Sequence, residues 1–240
     1  MSVRFDASAR APGPELMDDP AVAPDVLAAC LADLARVNTL TLGRRPVLGF
    51  VERAARAHPG RRLRVVDLGC GYGDTLRALA ALGRRRGLAL DLEGIDLSPN
   101  AVAAARAATD PADAVAYRVG DALAEEGARP DLIVSSLVAH HLADADIVAL
   151  LDRMERRAGI GWLVNDLRRS RLSFHGFRAL AAAMRWHPFV RHDGPLSIAR
   201  GFTEADWRSL AAAAGLDGAV AIRRRFPFRL TVERLREAPR

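Results

Sequence analysis

The sequence contains no lysine: all 35 of its basic residues are arginine, set against 29 acids for a formal charge of +6. Arginine-only usage beside abundant alanine reads as a composition bias rather than a phosphate-binding surface. The densest basic runs, Arg84-Arg85-Arg86 and Arg223-Arg224-Arg225, lie far apart and lack the interleaved aromatics of a single-strand platform. A nucleic-acid partner is therefore not expected. Cysteine is nearly absent too. Cys30 and Cys70 cannot form a disulfide framework, and Cys70 sits in a glycine turn, so both are expected to be free thiols. No run of about 18 apolar residues occurs, and residues 1–14 hold no apolar signal core, so a soluble, cytoplasmic chain with no integral membrane segment is expected.

What is present suffices for one good core: 240 residues, half of them hydrophobic. Residues 1–23 are rich in Pro, Asp and Ala and read as an extended arm with a turn at Glu15 to Asp18. From Pro24 to Leu40 apolar residues recur at helical spacing, and a second helix is expected over Pro46 to Ala57. Together these make an N-terminal arm and helical cap over 1–58, followed by a main domain over 59–240.

In that domain short apolar runs alternate with amphipathic stretches. Strands are expected at Leu63–Leu68, Asp91–Asp96, Val115–Val119, Leu132–Ser135 and Gly161–Asp166, and helices at Gly73–Leu82, Pro99–Ala107 and Asp144–Arg157. The rhythm breaks over about 167–201 and resumes with a helix at Glu204–Ala214 and strands at Ala219–Arg224 and Phe228–Val232. This order predicts an α/β fold: a seven-stranded, mostly parallel sheet with helices on both faces.

The chemistry centres on Val65-Val66-Asp67-Leu68-Gly69-Cys70-Gly71-Tyr72-Gly73, with three alternate glycines between a strand and a helix. Glycine there permits a tight turn and a close ligand approach to the backbone. In the dinucleotide pattern G-x-G-x-x-G the third glycine would stand at Asp74, whose charge opposes a pyrophosphate at a helix N-terminus. The acids Asp67 and Asp74 suit a phosphate-free, positively charged ligand instead.

This D-x-G-x-G-x-G turn resembles the first motif of class I methyltransferases, which bind S-adenosylmethionine on a Rossmann-like sheet. The resemblance covers roughly Arg61 to Asp166 and implies cofactor-binding roles for Asp67, Gly69, Cys70, Gly71 and Gly73. It also implies that Asp96, beside Leu97, accepts the ribose hydroxyls, that Asp121 or Ala122 reads the adenine, and that Ser136 ends the strand facing methionine and acceptor. Asp96 and Asp121 also fit a plainer role as helix-entry or turn acids.

His140 and His141 follow the fourth strand, where a general base for a hydroxyl acceptor is needed. They are the candidate catalytic residues, with packing or capping of the next helix as the alternative. No metal-ligand set is expected. The resemblance implies a substrate lid insert at about 167–201, in which Leu172, Phe174, Phe177, Leu180 and Met184 are candidates to line an apolar pocket, and Arg168, Arg169, Arg171 and Arg178 to hold an acceptor anion. A surface helix packed on the sheet is the plainer reading.

The runs Asn165-Asp166-Leu167-Arg168-Arg169-Ser170, His192 to Arg200 and Glu15-Leu16-Met17-Asp18 resemble bacterial methyltransferases encoded beside type III polyketide synthases, a group similar to ubiquinone-type O-methyltransferases. That implies methyl transfer to a small phenolic or enolic acceptor, polyketide- or quinone-like and apolar. The alternatives are a nucleic-acid methyltransferase or a non-catalytic cofactor-binding partner of a biosynthetic enzyme. Ser135-Ser136-Leu137-Val138 stands where base methylases carry a proline-aromatic platform, which argues against the first.

Overall fold

The structure is a computed structural model that describes residues 5–121 and 129–236. Helices α1 (Pro24–Leu40) and α2 (Arg45–Ala57) precede β1 (Leu63–Leu68), α3 (Asp74–Arg86), β2 (Leu90–Asp96), α4 (Pro99–Ala107) and β3 (Val115–Val119). Then come β4 (Leu132–Ser136), α5 (Asp144–Arg157), β5 (Gly161–Leu167), α6 (Arg171–Ala183), α7 (Pro188–Arg200), α8 (Glu204–Ala213), β6 (Ala221–Arg225) and β7 (Arg229–Leu235).

The seven strands lie in the order β3-β2-β1-β4-β5-β7-β6. The first five are parallel, while β7 runs antiparallel to both β5 and β6. The chain leaves β1 toward β2 on one side and returns to β4 on the other. The carboxyl ends of β1 and β4 therefore flank the switch point, where open α/β sheets bind ligands.

Residues alternate between the two faces of the sheet with the period of two that a strand requires. Leu63 and Val65 pack under α2 and α3 with Phe50, Val51, Leu76 and Leu79. Val66 and Leu68 face the other way, against Ile147 and Leu150 of α5 and Trp207 and Leu210 of α8. Burying a side chain of this size contributes about 1.5 to 3 kcal/mol, so each face is held by many such terms. Thr203 and Asp206 form a reciprocal capping box at the start of α8, and Gly215, at φ +71°, ends that run in the left-handed region.

Two parts differ from the sequence expectation. The segment after β5 holds two full helices, α6 and α7, which pack on α1 through Cys30, Val37, Ala181, Trp186 and Val190. Gly176 in α6 and Gly194-Pro195 in α7 weaken helix propensity, which hides the periodicity; burial against α1 overrides it. The arm is not a loose extension either. Arg10 donates from Nη2 to the carbonyl of Leu142 at 2.9 Å, pairs with Asp144 at 2.6 Å and stacks over the ring of Phe202. No single helix among the described residues is long and apolar enough to cross a membrane.

Candidate functional site

The turn after β1 sits where the switch point puts it. Gly69, Gly71 and Gly73 all have positive φ, at 71°, 49° and 71°. A methyl group on Gly69 would collide with Cγ2 of Val138, and one on Gly73 would meet the hydroxyl of Tyr117, so these two are demanded by packing. Gly71 differs: nothing lies within 4 Å of its missing β-carbon, and it borders a cavity of about 560 Å³. The turn is fixed from behind by β2, since the N–H groups of Gly69 and Cys70 donate to the Ile95 carbonyl at 2.8 and 3.1 Å.

Asp96 closes the second strand with its carboxylate folded onto that turn. Oδ2 accepts from the N–H of Gly71 at 2.8 Å, and Oδ1 accepts from the N–H of Ser98 at 2.9 Å. Each oxygen keeps lone-pair capacity for a further donor. Asp67 is buried and its Oδ1 has no hydrogen-bond partner among the described residues. Burial, reinforced by Asp74 and Asp96, pushes its carboxyl well above the usual range.

The cavity gathers Asp67, Gly69, Cys70, Gly71 and Ser136 with both candidate bases, His140 and His141. It does not gather the rest. Asp96 touches the turn through Gly71 without lining the cavity, Gly73 caps α3 beside Tyr117, Leu97 turns outward with 69% of its surface exposed, and Asp121 is exposed at the end of β3. Ala122 lies outside the described residues.

Of the apolar candidates in the lid, Phe177 and Leu180 line the cavity. Phe174 packs instead against Phe5 and Ile198, and Leu172 and Met184 are exposed. The arginine expectation is corrected. Buried Arg169 donates to the carbonyls of Ala7 and Gly201 and pairs with Asp206, Arg178 lies over the Phe174 ring, and Arg168 and Arg171 do not reach the cavity. Arg169 and Arg178 serve the fold; among the described residues the arginine in the cavity wall is Arg229, at the start of β7. Its guanidinium is buried, which lowers its pKa to about 10 despite Asp166 and Asp74 nearby.

His140 is buried and its Nδ1 is paired with Oδ1 of Asp166 at 2.7 Å. Burial alone would raise the Asp166 carboxyl, but His140 outweighs it and holds the acid below the ordinary value. His141 directs Nδ1 to Asp18 at 2.9 Å. Burial opposes its charged form, yet the bond to Asp18 and the nearby carboxylate of Glu15 win and raise its pKa.

Glu15 was missed as a site residue. It is buried in the cavity wall, with Oε1 3.6 Å from Nε2 of His140 and Oε2 3.8 Å from Nε2 of His141. The adjoining N–H groups of Leu16 and Met17 donate to Asp193 at 2.9 and 3.1 Å, which pins the arm to α7. The run Glu15-Leu16-Met17-Asp18 marked it only as part of a turn and of the family resemblance, and nothing local points its carboxylate at the histidines.

The cavity floor is polar and its roof is largely apolar, with Asn38, Ser173, Asp193 and Ser197 as its polar members. α1, α6 and α7 contribute Leu31, Leu34, Val37, Phe177 and Ile198, and the turn between β6 and β7 adds Phe226 and Phe228. Phe226 is 82% exposed at the rim. The basic runs are occupied elsewhere: Arg84 pairs with Asp113, Arg86 with Glu52, Arg224 with Glu204, and Arg223 and Arg225 with Glu233.

Comparison with known proteins agrees with this architecture. Residues 65–159 match the family model described as a methyltransferase domain. The ubiquinone biosynthesis O-methyltransferase of Azorhizobium caulinodans is 32% identical over 199 residues, covering 78% of this chain and 73% of that protein. Among solved structures, an O-methyltransferase from neocarzinostatin biosynthesis, in complex with S-adenosylhomocysteine and 1,4-dihydroxy-2-naphthoic acid, superposes with a TM-score of 0.60 at 21% identity. That match covers 93% of this chain and 62% of the other. The magnesium protoporphyrin IX methyltransferase of Synechocystis, with bound S-adenosylhomocysteine, gives 0.52 at 19% identity over 81% of this chain and 84% of its own. With its glycine turn at the switch point, its strand order and a relative aligned across most of both lengths, the chain belongs to the class I S-adenosylmethionine-dependent methyltransferases.

Proposed function

We propose that this enzyme methylates a hydroxyl of a small phenolic or enolic acceptor, polyketide- or quinone-like in character. One observation carries the reading: a single cavity joins the glycine turn to an apolar chamber whose polar end is the His140–His141 pair. The ubiquinone relative and the naphthoate-bound neighbour fit that acceptor class.

The residues fit the cofactor. Gly71 leaves open space where a side chain would intrude, and the orphaned Oδ1 of buried Asp67 leaves an acceptor to be satisfied at the foot of the turn. S-adenosylmethionine supplies a methyl group on a sulfonium, which makes that carbon electrophilic toward an oxygen nucleophile. Asp96 would accept the ribose hydroxyls with the lone pairs its two backbone contacts leave free. Gly69, Cys70, Gly71 and Ser136 would border the methionine part, with Asp67 favouring a positively charged ligand. Gly73 would hold the turn's exit, and Leu97 and Asp121 would edge the base.

At the acceptor end, Asp166 accepts the Nδ1–H of His140 and so leaves the Nε2 lone pair toward the cavity. That nitrogen is placed to take the proton from a bound hydroxyl as the oxygen gains its methyl group. His141, tied to Asp18, is the second candidate base. The apolar helices of the roof hold the acceptor and exclude water, so most of the catalysis is alignment of oxygen, carbon and sulfur.

The test is release of S-adenosylhomocysteine on a panel of phenols and hydroxypyrones, with the product identified as a methyl ether by mass spectrometry. Methyl ether formation on members of that panel is expected. Cofactor binding without turnover on any of them would overturn the assignment in favour of a binding partner.

A further inference from the structure

Glu15, His140 and His141 present one ligand atom each within 4.8 Å of one another, in the wall of the cavity. We propose that these three side chains form a binding site for a divalent transition metal of the zinc class, with an open position facing the acceptor. The inference rests on the O-methylation reading for its role but not for its existence.

The orientation of the imidazoles is the first argument. Both Nδ1 atoms are occupied by carboxylates, His140 by Asp166 at 2.7 Å and His141 by Asp18 at 2.9 Å. A carboxylate behind each ring fixes the tautomer and aims Nε2 forward, the arrangement that metal-bound histidines adopt. The third ligand is held in the same way, because Ser197 donates from Oγ to Oε1 of Glu15 at 2.8 Å.

Spacing is the second argument. Nε2 of His140 stands 3.6 Å from Oε1 and Nε2 of His141 3.8 Å from Oε2, too far for hydrogen bonds. Ligand atoms about 2.0 to 2.1 Å from a tetrahedral ion are about 3.4 Å apart, so a few tenths of an ångström close the set on an ion. Two nitrogens and one oxygen suit zinc, cobalt or iron(II) rather than magnesium or calcium, which prefer all-oxygen shells. Arg200 is the opposing charge, with Nη1 4.0 Å from Oε1, and the carboxylates of Asp166 and Asp18 offset it.

Three protein ligands leave a fourth position, and all three line the chamber that receives the acceptor. An ion there would hold the acceptor oxygen as its anion, its proton passing through the cavity mouth to solvent before the acceptor is enclosed; with the ion bound both histidines are ligands, and the base role of His140 belongs to the metal-free enzyme. It would favour acceptors with a second oxygen beside the reacting hydroxyl, such as a neighbouring hydroxyl or carbonyl, because such a pair chelates.

The test strips the full-length protein with a chelator, reloads it with zinc or cobalt(II), and measures bound metal by elemental analysis and the visible absorption of cobalt. One ion per chain is expected, with occupancy falling more than tenfold in Glu15→Ala, His140→Ala and His141→Ala. Unchanged S-adenosylhomocysteine binding by calorimetry would certify that these variants fold, and Glu15→Asp should retain part of the metal. No stoichiometric ion in the reloaded wild type, or equal uptake by a His140→Ala/His141→Ala variant, would overturn the site. Full turnover in chelator would remove the metal's role while leaving O-methylation intact. Stoichiometric metal without turnover on any hydroxyl acceptor would support the site and overturn the acceptor reading.

Discussion

His140 and Asp166 meet at 2.7 Å between Nδ1 and Oδ1, with neither side chain open to solvent, and they join the loop after β4 to the end of β5. The acid accepts from that ring and, through Oδ2, from the backbone N–H of His140 at 3.2 Å. It sets both the tautomer and the position of the imidazole. Asp166→Asn is expected to lower turnover by about 100-fold, the low end of what a general base contributes. Affinity for S-adenosylhomocysteine should stay within about twofold of wild type on the scale where 1.4 kcal/mol is tenfold. Steady-state kinetics paired with calorimetry separates the two quantities, and a full-rate variant would remove the pair from the chemistry.

The carboxylate of Asp96, which holds the glycine turn bordering the cavity, is the corresponding test for the cofactor. Asp96→Ala removes the acceptor for the Gly71 N–H and the proposed ribose contact together. Cofactor binding is expected to weaken by about 1 to 3 kcal/mol. Unchanged affinity in a calorimetric titration would refute the ribose assignment.

Two neighbouring glycines should respond in opposite ways to the same change. Gly69→Ala drives a methyl group into Val138 and strains a residue at φ +71°, so the denaturation midpoint should fall by an amount reflecting several kcal/mol. Gly71→Ala meets no atom of the protein, so only the backbone cost of about 1 to 2 kcal/mol applies to stability. Its methyl group enters the ligand space, however, and S-adenosylhomocysteine affinity should drop more than tenfold. Equal losses in both variants would mean that the turn serves packing alone.

The two thiols should be inert in the folded protein. Burial, with Asp193, Asp33 and Glu15 adding to it, pushes Cys30 up to about 12, and Cys70 is raised by burial and by Asp67 and Asp96. A thiol reacts as its anion, so at neutral pH neither should react with iodoacetamide at an appreciable rate. Alkylation should rise steeply only on denaturation. Rapid labelling of the native chain at Cys30, read by mass spectrometry, would contradict the closed cavity wall.

The sheet and the glycine turn were legible because their signals are local. Strand β1 alternates Val65 and Val66 between two cores, and three glycines mark where the backbone must turn. The helices α6 and α7 were not legible, since Gly176 and the Gly194-Pro195 pair erase a helical signal that only packing on α1 restores. Glu15 and Arg229 reach the cavity through tertiary contacts with residues far away in sequence. In the sequence one is an acid in an irregular arm and the other an arginine near a basic run. The strand order, not the residue type, brings Arg229 there: β7 reverses against β5 and places its first residue opposite Leu167.

That reversal also separates the two ends of the described chain. Leu235 finishes beside Gly161, at the opposite end of the sheet from the switch point, whereas Phe5 rests on Phe174 among the lid helices and Arg10 and Glu15 reach back to the histidine loop. An affinity handle or immobilising linker added after the last strand therefore projects from the side remote from catalysis. The same addition ahead of Phe5 loads the segment that seals the chamber, and purification strategy becomes part of the kinetic experiment.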